Sequence, residues 1–277
     1  MSHTTPILIT PDWLSAQLNS EDLIILDASI PAIGTVPDVS KTKTTILSAL
    51  RFDIEGEFSD SKSPYPHTMI SPQDFTEFVR ALGVNSNSQI VVYDDMGIFS
   101  APRAWWMFKA MGHDNISILN GGLPAWQLAG LPCDKDYGSA NQKGNFEARP
   151  LKNYFVNMHD IENIIETNEA VVIDARSADR FFSRVDEPRP GLRRGNIPGS
   201  INLPFNLVLE NGAYKNAEQL AAVFDDLQIN NSKPLYFSCG SGVTACIDAV
   251  AAKICGFEKV SVYDGSWCEW GSCKPAQ

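Results

Sequence analysis

The chain has no apolar run approaching the roughly 18 residues that would suggest a membrane span, so no membrane is expected as its home. Positive charge is also scarce. Lys and Arg total 22 against 33 Asp and Glu, a net charge of −11, which argues against nucleic acid or anionic lipid as a general partner. Cysteine is too sparse for a disulfide scaffold. The six stand at 133, 239, 246, 255, 268 and 273, and only Cys268 and Cys273 are close together. No His follows that pair at finger-like spacing, so neither a structural zinc nor any other metal is expected. The opening stretch Met1-Ser2-His3-Thr4-Thr5-Pro6 lacks a basic region, a long apolar region and the Arg-rich character of a transit peptide. A soluble, cytoplasmic protein is the expectation.

What is present is a duplication. The 277 residues, 44% apolar and 20% charged, suffice for two globular domains. Ile24-Ile25-Leu26-Asp27-Ala28 resembles Val171-Val172-Ile173-Asp174-Ala175. Gln89-Ile90-Val91-Val92-Tyr93-Asp94 parallels Pro234-Leu235-Tyr236-Phe237-Ser238-Cys239, and each is followed by a helical stretch, Ala101 to Ala110 and Val243 to Ile254. Ile116 to Gly122 and Val260 to Gly265 then repeat a strand and a Gly turn, each soon followed by a Trp, Trp126 and Trp270. The matched positions lie about 145 residues apart, too far for a solenoid repeat and right for a duplicated domain. Apolar strands alternating with amphipathic helices imply an α/β fold with a mainly parallel sheet in each half. Residues 134–150 are polar and aperiodic, and the expected division is 1–138, a linker 139–150, and 151–277.

The second half carries the chemistry. Cys239 ends a strand, Gly240, Ser241 and Gly242 permit a tight loop, and a helix follows. A loop at a helix N-terminus presents amide N–H groups and partial positive charge, which favour the anion of a thiol. A thiolate is a nucleophile, and the same cradle suits a persulfide. A buried structural Cys is the competing reading for any single cysteine; the flanking glycines and the immediate helix favour a functional one here. Cys246, within the helix, reads as core, and Cys133, Cys255, Cys268 and Cys273 read as structural or incidental.

Cys239-Gly-Ser-Gly-Val-Thr-Ala resembles the active-site loop of the 3-mercaptopyruvate sulfurtransferases of the rhodanese superfamily. The resemblance covers nearly the whole chain, including Ser100 to Phe108, Gly121 to Trp126 and Gly195 to Ser200. It implies two tandem rhodanese-like domains, the first without the nucleophile, as Asp94 in place of Cys239 matches, and an active site between them. It further implies that Gly240, Gly242, Val243 and Thr244 bind through the loop, and that no cofactor is needed.

Six arginines lie between Arg176 and Arg194. A solvated loop with weak ion pairs explains such a run, and a carboxylate clamp is the functional alternative. The resemblance implies that two arginines nine apart hold the substrate, and Arg180 and Arg189 fit, while Arg176 reads as structural. It also implies a relay of Ser241, His67 and an acidic residue, here Glu55 with Asp53 as competitor. The implied reaction moves sulfur from 3-mercaptopyruvate through a Cys239 persulfide to a thiol, thioredoxin or cyanide, releasing pyruvate. The implied protein is a monomer or weak dimer. The alternatives are a thiosulfate sulfurtransferase and a non-catalytic sulfur-carrier or regulatory module. Thiosulfate users place Arg and Lys where this chain has Gly240 and Ser241. A phosphatase is set aside, because the position for its phosphate-gripping Arg is Ala245.

Overall fold

The computed structural model describes residues 5–31 and 43–274. The first four residues of the opening stretch and the last three of the chain lie outside the described residues.

The described chain forms two compact units. The first runs up to Asp60 and includes Met69–Leu151 and Asn211–Ala213. The second takes Ser61–Thr68, Lys152–Glu210 and the chain from Tyr214 onward. Each holds a five-stranded parallel sheet. In the first the order is Leu8–Ile9, Ile116–Leu119, Gln89–Tyr93, Leu23–Asp27, Leu50–Arg51. In the second it is Phe155–Val156, Val260–Tyr263, Leu235–Ser238, Val171–Asp174, Ile201–Asn202. The two orders match strand for strand, so the repeat read in sequence is a repeat of topology.

Burial explains why the strands lack alternation. Ile90, Val91, Val92 and Tyr93 in one sheet, and Leu235, Phe237 and Val262 in the other, are all fully buried. Helices cover both faces of such sheets, so both side-chain directions meet core. Residues 139–150 form no helix or strand, and their amides fasten them to the first unit: Gly144 donates to the Arg80 carbonyl at 2.8 Å and Phe146 to Val84 at 3.1 Å. No described helix is long and apolar enough to cross a membrane.

In each unit the middle strand ends in a loop that opens a ten-residue helix, Ala101–Ala110 in the first and Ala245–Ile254 in the second. The first loop shows what this construction does. The Asp94 carboxylate is fully buried. Its Oδ2 accepts from the amides of Phe99 at 2.8 Å and of Ser100 and Ala101 at 2.9 Å, and its Oδ1 accepts from Met96 at 3.1 Å. Burial pushes the carboxyl's pKa up, and the four amide bonds oppose that rise. The loop is therefore an anion cradle occupied by the chain's own side chain.

Asp94→Ala strands four donors, two of them buried, and is expected to lower stability by about 3 kcal/mol. Asp94→Asn should cost less, since its amide oxygen can still accept. Urea unfolding of the full chain measures both, and a loss below about 1 kcal/mol for the alanine variant would contradict the cradle.

Candidate active site

Cys239 follows the middle strand of the second unit and is 2% exposed. Its backbone is fixed at both ends. Its amide donates to Ser266 Oγ at 3.1 Å, and its carbonyl accepts from the Trp267 amide at 3.0 Å. The Gly240 carbonyl accepts from the Cys268 amide at 2.9 Å. Helix Ser266–Cys273 thus anchors the loop. Ser266 holds a left-handed φ of 49° and donates its hydroxyl to the Tyr263 carbonyl at 2.8 Å. The corresponding residue of the first unit is Gly122, with φ 52°. A serine in a conformation suited to glycine stores strain, offset here by the bond it accepts from the Cys239 amide.

The following helix begins at Ala245, two residues later than its composition suggests. Gly242 is left-handed with φ 75°, and Val243 and Thr244 form a tight turn closed by Cys246 N to Val243 O and Ile247 N to Thr244 O, both 3.1 Å. Val243 is buried in that turn, and Thr244 is half-buried.

Arg180 and Arg189 reach the same place. Arg180 sits on a short helix, Ala178–Phe181, rather than in open loop, and Arg189 follows in the Pro-rich loop. A Cβ added to Gly240 would lie 3.2 Å from Arg180 Nη2 and 3.5 Å from Arg189 Nη1. Both guanidinium groups therefore stand over the residue after Cys239. Arg180 is aimed by Glu187, through Nε to Oε1 at 3.2 Å and Nη2 to Oε2 at 2.5 Å. Glu187 also accepts from Arg176 Nη1 at 2.9 Å. Arg176 is buried, forked onto Asp174, and bonded to the Gly195 carbonyl at 2.9 Å. Burial, the largest influence on Arg176, lowers its pKa; Asp174 and Glu187 more than reverse that and leave it raised. Arg176 thus serves structure, as its place after the strand suggests. Arg184 and Arg194 make exposed pairs with Asp179 and Asp186.

His67 belongs by its packing to the second unit, although it lies in the first half of the chain. Its Nδ1 is 2.9 Å from Ser241 Oγ, and both residues are buried. Ser241 Oγ also accepts from Arg189 Nη2 at 3.3 Å. With one lone pair engaged by Arg189, the hydroxyl is free to donate to His67. Glu55 lies on an exposed turn of the first unit, and Asp53 in the same segment pairs with Arg51 at 3.2 Å.

Three residues at the site were not singled out by motif. Glu187 was one charge among many in an ion-rich run. Ser266 follows a Gly turn with nothing to mark it. Asp248 read simply as part of a helical composition, yet it is fully buried and neither carboxyl oxygen has a hydrogen-bond partner. Burial pushes its pKa well up, and the charges of Cys239 and Asp174 add to the rise. Burial on helix Ala245–Ile254 thus favours the protonated form of Asp248.

The sign of the resulting pH dependence follows. The folded protein keeps the Asp248 proton above about pH 4, where the unfolded chain releases it. Stability from this group therefore falls as pH rises toward neutrality. Asp248→Asn removes that slope, so the variant should gain stability relative to the parent between pH 4 and pH 7. Equal differences at both pH values in urea unfolding would contradict it.

A profile of the rhodanese-like domain matches residues 10–129 and 157–273. The 3-mercaptopyruvate sulfurtransferase of Escherichia coli strain K12 is 38% identical, over 97% of this chain and 96% of that protein. The thiosulfate sulfurtransferase of Rattus norvegicus is 36% identical, over 95% of this chain and 91% of that protein. The crystal structure of SseA from Escherichia coli, described as showing the fold and catalytic mechanism of 3-mercaptopyruvate sulfotransferases, superposes with a TM-score of 0.86. It is 36% identical and covers 95% of this chain and 99% of that one. Relatives named for either donor thus stand at nearly equal identity, and the choice of donor rests on the site.

Proposed function

The chain belongs to the rhodanese family and is a sulfurtransferase, and from that premise we propose that it takes sulfur from 3-mercaptopyruvate onto Cys239. The observation that carries this reading is the convergence of Arg180 and Arg189 over Gly240. Two planar guanidinium groups beside the nucleophile suit the carboxylate and carbonyl oxygens of an α-keto acid.

In the first half-reaction the Cys239 thiolate attacks the substrate sulfur. An S–S bond forms as the C–S bond breaks, and the electron pair passes to carbon as the enolate of pyruvate. Arg180 and Arg189 stabilise the enolate oxygen, and a proton delivered to carbon completes pyruvate. Arg189 donates to Ser241, whose hydroxyl shares a hydrogen bond with His67 Nδ1, and these contacts form the relay. Glu55 is the acidic member we assign to it, with Asp53 as competitor.

The outer sulfur of the persulfide is an anion, and the amides around Gly240, Gly242, Val243 and Thr244 are its cradle. The first unit supports this, because there the equivalent loop holds a carboxylate on four amides. In the second half-reaction a thiol, thioredoxin or cyanide attacks the outer sulfur and restores the Cys239 thiolate. No cofactor takes part. Ping-pong kinetics follow from the covalent intermediate. We place the protein in the cytoplasm as a monomer or weak dimer, divided at a 139–150 linker.

Thiosulfate is the second reading, favoured by the rat relative. It is a dianion, and the loop positions 240 and 241 carry no charge. A non-catalytic module is disfavoured by the nucleophile and the two arginines together.

Incubation with mercaptopyruvate followed by intact-mass measurement, made promptly and without an acceptor, should show sulfur bound to the chain, a gain of about 32 Da, absent in Cys239→Ser. No sulfur bound from either donor, and no pyruvate or sulfite released, defeats the enzyme reading. Arg180→Ala and Arg189→Ala should each raise KM for mercaptopyruvate about ten- to a hundredfold. Near-normal KM in both removes the clamp. For the unaltered protein, kcat/KM should be higher with mercaptopyruvate than with thiosulfate; the reverse order overturns the choice of donor.

A further inference from the structure

Helix Ser266–Cys273 carries a second thiol, that of Cys268, beside the Cys239 loop. Its first turn runs alongside the active-site loop, Trp267 bonded to Cys239 at 3.0 Å and Cys268 to Gly240 at 2.9 Å. The two backbones adjoin directly here, and a disulfide needs the Cα atoms of its cysteines about 4.4–6.8 Å apart. Cys268 is one residue out of step with Cys239, and it lies opposite Gly240, the residue over which Arg180 and Arg189 stand. Cys268 is 3% exposed. The charged groups acting on its thiol, after burial itself, are Arg189, Cys239, Glu187 and Arg180, which are the groups of the site. Burial raises its pKa and keeps it a thiol. The other cysteines are placed differently: Cys246 donates its thiol to the Gly242 carbonyl at 3.2 Å, and Cys273 lies 3.1 Å from the Tyr65 hydroxyl. All six cysteines are free. From sequence Cys268 reads as incidental, and the sulfur transfer described above gives it no part.

We propose that Cys268 is an internal resolving thiol, which discharges the Cys239 persulfide as hydrosulfide and leaves a Cys239–Cys268 disulfide. The inference rests on the persulfide reading above. The step balances. Cys268 sulfur attacks the inner sulfur, Cys239 Sγ. The bond between that atom and the outer sulfur breaks, and the outer sulfur leaves with the electron pair. It takes the Cys268 proton and departs as HS⁻, reduced, while the two cysteine sulfurs end oxidised as a disulfide. An external dithiol then reduces the disulfide and restores both thiols. Without an acceptor the protein therefore releases one hydrosulfide per chain and stops, and a dithiol restarts it.

The test uses the full chain, reduced, freed of small thiols and mixed with mercaptopyruvate alone. Pyruvate, hydrosulfide and intact mass are followed together over time. The expected result is about one equivalent each of pyruvate and hydrosulfide. The final species should be about 2 Da lighter than the reduced protein, after passing through the sulfur-bound form. Non-reducing proteolysis should link the Cys239 peptide to the Cys268 peptide, and a dithiol should restart release. Cys268→Ser should release pyruvate but no hydrosulfide, and should keep the gain of about 32 Da. A stable sulfur-bound parent with no hydrosulfide overturns the role of Cys268 and leaves the sulfur transfer intact. Equal hydrosulfide from the parent and from Cys268→Ser, or a linkage mapped to another cysteine, also overturns it. No pyruvate from any form defeats the persulfide reading, and this inference with it. The peptide linkage is read in the unaltered protein, so the test does not depend on the variant folding.

Discussion

One carboxylate holds the site in register. Glu187 is shared between Arg176, at 2.9 Å, and Arg180, at 2.5 Å. Arg176 is pinned to Asp174 at the end of a sheet strand, so rigidity passes from the sheet through three ion pairs to the Arg180 guanidinium over Gly240. A second route starts from the same arginine. Its guanidinium lies 4.3 Å from the centre of the Trp267 ring, and the Trp267 amide fixes the Cys239 carbonyl. Arg180 and the Cys239 loop are thus positioned by one buried cation. Buried ion pairs add little net stability, because desolvation offsets attraction. Their value here is placement, and removing either Arg176 or Glu187 leaves the other charge buried without its full set of partners.

The sequence made the architecture legible where the signal was local. Gln89–Tyr93 and Ile116–Leu119 read as strands because buried parallel strands are uniformly apolar, and Ala101–Ala110 read as a helix over its observed span. The Cys239 loop was legible because glycines and a following helix are adjacent in the chain. The late start of Ala245–Ile254 was not, since a left-handed Gly242 delays the helix without changing composition.

Less of the site's tertiary wiring could be read. His67 and Ser241 are 174 positions apart, and only the resemblance linked them. Glu187 carries no mark that separates it from Asp186 beside it, yet one is buried and the other exposed. Asp248 violates the expectation that a helix burying its whole face is apolar, and composition averages such a residue away. Long-range partners and burial are properties of the folded chain, and residue order encodes them only through the whole fold.

The Asp94 cradle has a consequence for the lifetime of the molecule. The first unit carries a tethered ligand that never leaves, so its folded state is always saturated. In the proposed reaction its counterpart is filled only while sulfur is in transit. A group that binds the native state and not the unfolded chain shifts the folding equilibrium by mass action, and a covalently held one does so at full occupancy. Sulfur is then cargo and stabiliser at once. On the proposed reaction, a sulfur-loaded chain outlasts an empty one under heat or protease.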